Sequence, residues 1–282
     1  MKDLPIGFID SGYGGLTVVK ESLKQLPNES IVYLGDNARA PYGPRSLEEV
    51  KNFIWQMTDF LKDFGIKMLV IACNTGTAAA LEELKDKLSI PVLGVINAGS
   101  RAAIKSSSNQ KIGVIGTQAT ILSGQYQKNL LAKDRHLKVY SYPVPQFVSI
   151  VEENRMDDPE TIDIVRQDLS FFNDTEIDTL ILGCTHYPHL KSTIQQVMGP
   201  EIHLIDSGVE TINEVSTILD YFNLSRSEKD VDQLGTSITM YTTGDVEQFT
   251  QFAREWLMNP EIKVLQAKVE GDIIVEDNNS KS

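Results

Sequence analysis

The chain has 282 residues, a net charge of -13, 41% apolar and 23% charged residues, the balance of a globular protein with one large or two ordinary domains. Such an anionic surface disfavours nucleic acid as a primary partner and repels anionic lipid. No apolar run reaches membrane-spanning length, and the opening MKDLPIGFID lacks the apolar stretch of a signal peptide, so the expectation is a cytoplasmic protein with no membrane partner.

In chain order, short apolar runs predict strands over residues 6–9, 31–34, 68–72, 92–96, 112–115, 139–142, 179–182, 202–205 and 238–242. Between them lie helical patterns over 47–64, 76–88, 159–172, 190–198 and 208–222. The first of these is opened by Ser46 with Glu49 three residues on, a capping-box spacing. Strand–helix alternation of this kind predicts an α/β fold with mainly parallel sheets flanked by helices. In such folds ligands bind beyond the carboxyl ends of the strands, so the residues just after each strand carry the most information.

Those strand ends repeat. Ile6-Gly7-Phe8-Ile9-Asp10-Ser11 matches Ile112-Gly113-Val114-Ile115-Gly116-Thr117. Leu69-Val70-Ile71-Ala72-Cys73-Asn74-Thr75 matches Leu180-Ile181-Leu182-Gly183-Cys184-Thr185-His186, and Val95-Ile96 with Gly99 matches Leu204-Ile205 with Gly208. The near-constant offset of about 110 residues suggests a duplicated unit, and if the two similar halves face each other in a pseudo-twofold arrangement their strand ends meet in one cleft. Buried parallel strands all look alike, which explains the apolar letters but not the paired cysteines.

The chain has only two cysteines, far apart, which argues against a disulfide framework and for free thiols in a reducing compartment. A free cysteine is most often a small buried hydrophobe, but two at equivalent strand ends suggest function. Three chemistries fit facing thiols. A redox dithiol usually uses Cys-x-x-Cys, a spacing this chain lacks. A zinc site could combine Cys73, Cys184, His186 and His189, although Cys184-x-His186 is an odd ligand pair. The third is proton transfer at carbon from both faces, one thiolate removing a proton and the opposite thiol returning one.

Free thiols are only a few per cent ionised at neutral pH, so helpers matter. Both cysteines are expected to immediately precede helical patterns, whose N-termini favour a thiolate. His186 lies two residues from Cys184, and Asp10 ends the strand expected to neighbour that of Cys73. A carboxylate raises the pKa of a nearby thiol, so Asp10 suits a proton relay better than electrostatic activation; its plainer use is as a helix cap or turn residue. Ser11, Asn74, Thr75, Thr117 and Thr185 offer hydroxyls and amides for a carboxylate. DSGYGGL approaches a dinucleotide fingerprint with Gly12 and Gly14, but Thr17 stands at its sixth position. There is no Walker motif, and no lysine stands out as a pyridoxal site.

Taken together, Ile9-Asp10-Ser11-Gly12, Gly14-Gly15-Leu16, Pro41-Tyr42-Gly43, Ala72-Cys73-Asn74-Thr75, Gly113-Val114-Ile115-Gly116-Thr117 and Gly183-Cys184-Thr185-His186-Tyr187-Pro188 resemble the cofactor-independent aspartate/glutamate racemase superfamily, and within it the glutamate racemases. The pieces run in family order over roughly residues 5–260. The resemblance implies interconversion of L- and D-glutamate for peptidoglycan, with no pyridoxal phosphate or metal, in a homodimer. It implies Cys73 and Cys184 as the acid/base thiols, with Asp10 and His186 as their partners and Glu152 on the His186 side. An exposed helix position is the plainer assignment for Glu152. Asp10, Ser11, Pro41, Tyr42, Gly43, Asn74, Thr75, Thr117, Thr185 and His186 would contact substrate. It implies an N-terminal domain of residues 1–97 plus 207–267 and a second domain of 98–206. Residues 268–282, acidic and polar toward their end, are expected to be a loosely held tail. Ala40 and Asn97-Ala98-Gly99 depart from the family pattern, as does the segment 145–149; these touch loop shape rather than the thiols. Two alternatives stand beside this expectation: a racemase of aspartate or another acidic amino acid, and a metal- or redox-responsive binding protein built on the same thiols.

Overall fold

Each of the nine apolar runs contains a strand, and those of the sheet interiors carry no polar alternation because both their faces are covered. In a computed structural model describing residues 1–277, the strands are β1 (Ile6–Asp10), β2 (Ile31–Gly35), β3 (Met68–Ile71), β4 (Val92–Gly94), β5 (Lys111–Gly116), β6 (Lys138–Pro143), β7 (Thr179–Gly183), β8 (His203–Asp206), β9 (Ile238–Thr242), β10 (Val264–Glu270) and β11 (Ile273–Glu276). Every residue of β1, β2, β3 and β7 is buried, as expected for parallel strands sandwiched between helices.

Two sheets form. One has seven strands in the order β11-β10-β9-β2-β1-β3-β4, the other four in the order β6-β5-β7-β8. All neighbours are parallel except β10 and β11. The order β2-β1-β3-β4 recurs as β6-β5-β7-β8, so the sequence repeat corresponds to a repeated unit of topology. β1 and β3 are adjacent, as are β5 and β7, which brings Asp10 beside Cys73 and Thr117 beside Cys184 at the carboxyl ends of their sheets.

The helices follow their sequence signals with shifted ends. Ser46 caps Leu47–Lys62, accepting the Glu49 N–H at 3.2 Å. Asp206 caps Ser207–Tyr221, which packs on both Leu16–Gln25 and Val95–Ser106. The pattern at 159–172 is a helix over Thr161–Leu169 followed by a 3-10 turn.

Three expectations are corrected. The strand expected at 92–96 stops at Gly94, and Val95–Ser106 is a helix. The third internal match therefore joins helical Val95-Ile96 to strand residues Leu204-Ile205; a short apolar run does not by itself distinguish strand from buried helix. Cys184 does not adjoin its helix directly: a 3-10 turn over Tyr187–Leu190 containing Pro188 intervenes before Lys191–Met198. The tail expected from residue 268 begins inside a strand. β10 extends the first sheet beside β9, and β11 pairs back on it through a turn at Gly271, whose φ is +60°, with Ile274 buried. Residues 278–282 of that expected tail lie outside the described residues.

Candidate active site

β1 delivers Asp10 to a position behind the wall of the site. Its carboxylate is fully buried, and Oδ2 accepts the Gly12 N–H at 3.0 Å while Oδ1 has no hydrogen-bond partner among the described residues. Burial raises its pKa to about 6, against the opposing pull of His186 and the nearby amides of Gly12 and Gly15. The loop that follows runs tight against the second half. A Cβ on Gly14 would lie 2.2 Å from Thr185 Oγ1 and 2.6 Å from His186 Nδ1, so only glycine permits this approach. Thr17, the residue that breaks the dinucleotide fingerprint, donates its hydroxyl to the Thr185 carbonyl at 3.1 Å.

The loop after β2 brings in Pro41, Tyr42 and Gly43, with a cis peptide bond between Ala40 and Pro41. The Tyr42 hydroxyl is committed to the core: it donates to Asp36, which also accepts Arg39 Nε at 2.7 Å and Thr243 Oγ1 at 2.8 Å. That hydroxyl is therefore not free to donate into the cavity.

Cys73 follows β3 and is itself the N-cap of Asn74–Lys87. Its sulfur accepts the Gly76 N–H at 3.3 Å and lies 3.8 Å from Ser11 Oγ. Burial pushes the thiol up to about 12, and the Asp10 charge adds to this; the Gly76 amide and Ser11 only partly offset them. Cys73 is therefore protonated at neutral pH. Thr75 Oγ1 sits 3.0 Å from Thr117 Oγ1 and 3.1 Å from Thr120 Oγ1, hydroxyls contributed by the second sheet.

Cys184 faces this group from the end of β7. Its sulfur is 3.7 Å from His186 Nδ1, and His186 Nε2 is 3.0 Å from Glu152 Oε1, at the end of the helix Gln146–Glu152. Burial alone would lower the His186 pKa, but Cys184 and Glu152 together raise it to about 10. In its imidazolium form His186 donates one N–H toward each neighbour. The two thiols sit in different electrostatic settings: Cys73 beside a carboxyl, Cys184 beside an imidazole.

Ser11, Pro41, Tyr42, Gly43, Cys73, Asn74, Thr75, Thr117, Glu152, Cys184, Thr185 and His186 line one cavity of about 30 Å3. Asp10 lies behind the lining, and Gly12, Ala40 and Val148 complete it. Val148 escaped the sequence reading although it precedes Glu152 by four residues, the spacing that places two side chains on one helix face. Among the described residues no group of three or more His, Cys, Asp or Glu side chains is placed to hold a metal ion, and both cysteines are free. His189, the fourth member of the zinc alternative, packs its ring on Trp256 with centroids 3.9 Å apart.

A model of the family described as Asp/Glu/Hydantoin racemase matches residues 6–215 of the chain. The chain belongs to that family. Among curated relatives of this racemase, a glutamate racemase from Carnobacterium sp. (strain St2) is 53% identical over 264 residues, covering 94% of this chain and 98% of the relative. One from Lactiplantibacillus plantarum is 52% identical over 258 residues, covering 91% and 93%. Among solved structures, a glutamate racemase isoform from Bacillus anthracis superposes with a TM-score of 0.90 at 44% identity, covering 97% of this chain and all of that one. The glutamate racemase from Francisella tularensis, solved in complex with D-glutamate, gives 0.86 at 34% identity, covering 96% and 98%. The racemase fold of these neighbours is the two-sheet α/β arrangement described above.

Proposed function

We propose that this racemase interconverts L- and D-glutamate by proton transfer at the α-carbon between Cys73 and Cys184, without a cofactor. The observation that carries the proposal is that the two thiols, from corresponding strand ends of the two sheets, line one cavity. The relatives named for glutamate racemisation match nearly the whole chain, which favours glutamate over other acidic amino acids.

Each turnover removes the α-proton on one face and delivers a proton on the other. A thiolate at Cys184 is matched by the His186 imidazolium, itself held by Glu152, while Cys73 stands opposite as the neutral acid. For the reverse reaction Cys73 must be the base. At a pKa of about 12 its ionisation at neutral pH costs about 7 kcal/mol. Passing its proton to Asp10 keeps the net charge of the pair constant and leaves a neutral carboxyl, which no longer opposes the thiolate charge. Asp10 is suited to that relay: its pKa of about 6 lies near working pH, and Oδ1 is unpartnered among the described residues. Asn74, Thr75, Thr117, Thr185, Ser11 and the backbone N–H groups of Tyr42 and Gly43 supply donors for the substrate's carboxylates, with Pro41 shaping the loop that presents them.

A cavity of about 30 Å3 holds only a few waters, so the halves must part for glutamate to enter and close around it. On this reading one lobe is residues 1–97 with the returning segment from 207, now extended through β11, and the other is 98–206. The remaining parts of the proposal are a cytoplasmic homodimer supplying D-glutamate to peptidoglycan.

The test is isotope exchange. In heavy water, either enantiomer of glutamate is expected to gain α-deuterium and lose optical activity with no added cofactor. No α-deuterium in either enantiomer refutes the racemase proposal.

A further inference from the structure

Asn74 opens the helix after Cys73, and its Oδ1 lies 2.7 Å from the Tyr126 hydroxyl, which in turn lies 2.9 Å from Ser207 Oγ. The three residues come from separate stretches of chain: the start of Asn74–Lys87, the helix Gln125–Lys133 of the second half, and the first residue of Ser207–Tyr221. All are nearly solvent-free, at 4%, 2% and 2% exposure. A phenol carries one proton. Given to the Asn74 carbonyl, it leaves the phenol oxygen to accept from Ser207, whose hydroxyl makes no other hydrogen bond among the described residues. The chain of donation therefore runs from Ser207 to Tyr126 to Asn74. Burial raises the Tyr126 pKa, which keeps that proton in place.

Two glycines hold the relay in register. A Cβ on Gly183 would meet the Tyr126 ring at 3.1 Å, and one on Gly99 would meet Ser207 Oγ at 2.3 Å. Gly99 belongs to the Asn97-Ala98-Gly99 segment that departs from the family pattern.

We propose that Tyr126 and Ser207 are positioning residues that fix the Asn74 carboxamide with its oxygen inward and its NH2 toward the cavity. Asn74 then presents only donors where a carboxylate binds. Released from the relay, the amide oxygen loses its buried donor, so the flipped amide, which aims an acceptor at an anion, becomes the favoured form. This inference rests on the glutamate reading above.

The test is steady-state kinetics with both enantiomers. Tyr126→Phe is expected to raise KM about tenfold in both directions while kcat falls less than about threefold, the signature of one lost ground-state hydrogen-bond contribution. Ser207→Ala should raise KM about threefold, and the double variant should do no worse than Tyr126→Phe alone, because both cut one chain. In an Asn74→Ala background, Tyr126→Phe should change KM less than about twofold. A merely structural role would lower Tm and the active fraction instead. An unmoved KM in Tyr126→Phe, or an undiminished effect without Asn74, overturns the proposal. Should Tyr126→Phe fail to fold, Ser207→Ala carries the test, since it leaves the ring in place. A wild-type protein inactive on both enantiomers would sink the glutamate reading alone. The Asn74 side-chain NH2 resonances would then decide the positioning role: a shift on Ser207→Ala is expected, and unmoved resonances overturn it.

Discussion

Replacing Gly14 by alanine adds one methyl group to a residue that contributes no side chain to the site. That methyl carbon would stand 2.2 Å from Thr185 Oγ1, 2.6 Å from His186 Nδ1 and 2.7 Å from His186 Cε1. Ordinary contacts of this kind begin above 3 Å, so something must yield by roughly 1 Å. Asp10 and Tyr33 crowd the adjacent Gly15, so the loop has little room to retreat, and Thr185 and His186 move instead. Overpacking of this size costs about 1–3 kcal/mol, or a Tm fall of about 2–10 °C for a chain this long. A catalytic group displaced by about 1 Å costs about 100-fold in rate. The expected result is a fall of about 100-fold in kcat for both enantiomers with the fold retained by circular dichroism. Gly124→Ala is the control: it has open space around it but a φ of +64°, so it should lose about 1 kcal/mol of stability and little activity. A Gly14→Ala enzyme within about twofold of wild type in kcat/KM would refute the close-packing argument.

Cys73→Ser and Cys184→Ser should each lose at least about 100-fold in racemisation, and α-deuterium wash-in measured separately from L- and D-glutamate should show each variant impaired more from one enantiomer. Glu152→Gln removes one of the two groups that raise the His186 pKa. His186 must stay protonated to match a Cys184 thiolate, so the alkaline limb of the kcat/KM profile should move to lower pH. An unmoved limb would detach His186 from that role. Asp10 has a folded pKa of about 6 against an ordinary value of 3.8, so the stability of its protonated form is fully present below about pH 4 and is lost as pH rises through about 6. The loss amounts to about 3 kcal/mol above that window. Asp10→Asn should therefore raise stability in urea by up to about 3 kcal/mol at pH 8, with the gain shrinking toward pH 4, while racemisation falls.

The thiols were legible in the sequence because duplication wrote them twice, at matching strand ends. Asp10, Thr117 and Thr185 followed from the rule that parallel sheets act at their carboxyl ends. Tyr126 was not legible: it sits in an unremarkable amphipathic helix, and only the approach of that helix to Asn74 gives its hydroxyl a partner. Gly14 was read as a fingerprint glycine, whereas its role is set by residues some 170 positions away. The β10–β11 hairpin was hidden by composition. Acidic letters near the end of the chain outweighed Ile273-Ile274-Val275 and the turn glycine Gly271, a pattern that signals a hairpin when taken alone. At 92–96 the apolar run was continuous across a strand and the helix that follows it, and periodicity cannot divide so short a stretch.

The strand order of the larger sheet has a consequence for synthesis. β2 is covered on one side by β1, made almost with it, but on the other by β9, which is encoded about 200 residues later. At ~5–20 residues per second the ribosome takes roughly 10–40 s to supply it. Throughout that interval the apolar strand Ile31–Gly35 carries an open row of backbone donors and acceptors, the kind of edge that pairs with a neighbouring chain. The nascent protein is thus most vulnerable to aggregation while its second half is being made, and chaperone demand should fall sharply once Thr242 has left the exit tunnel.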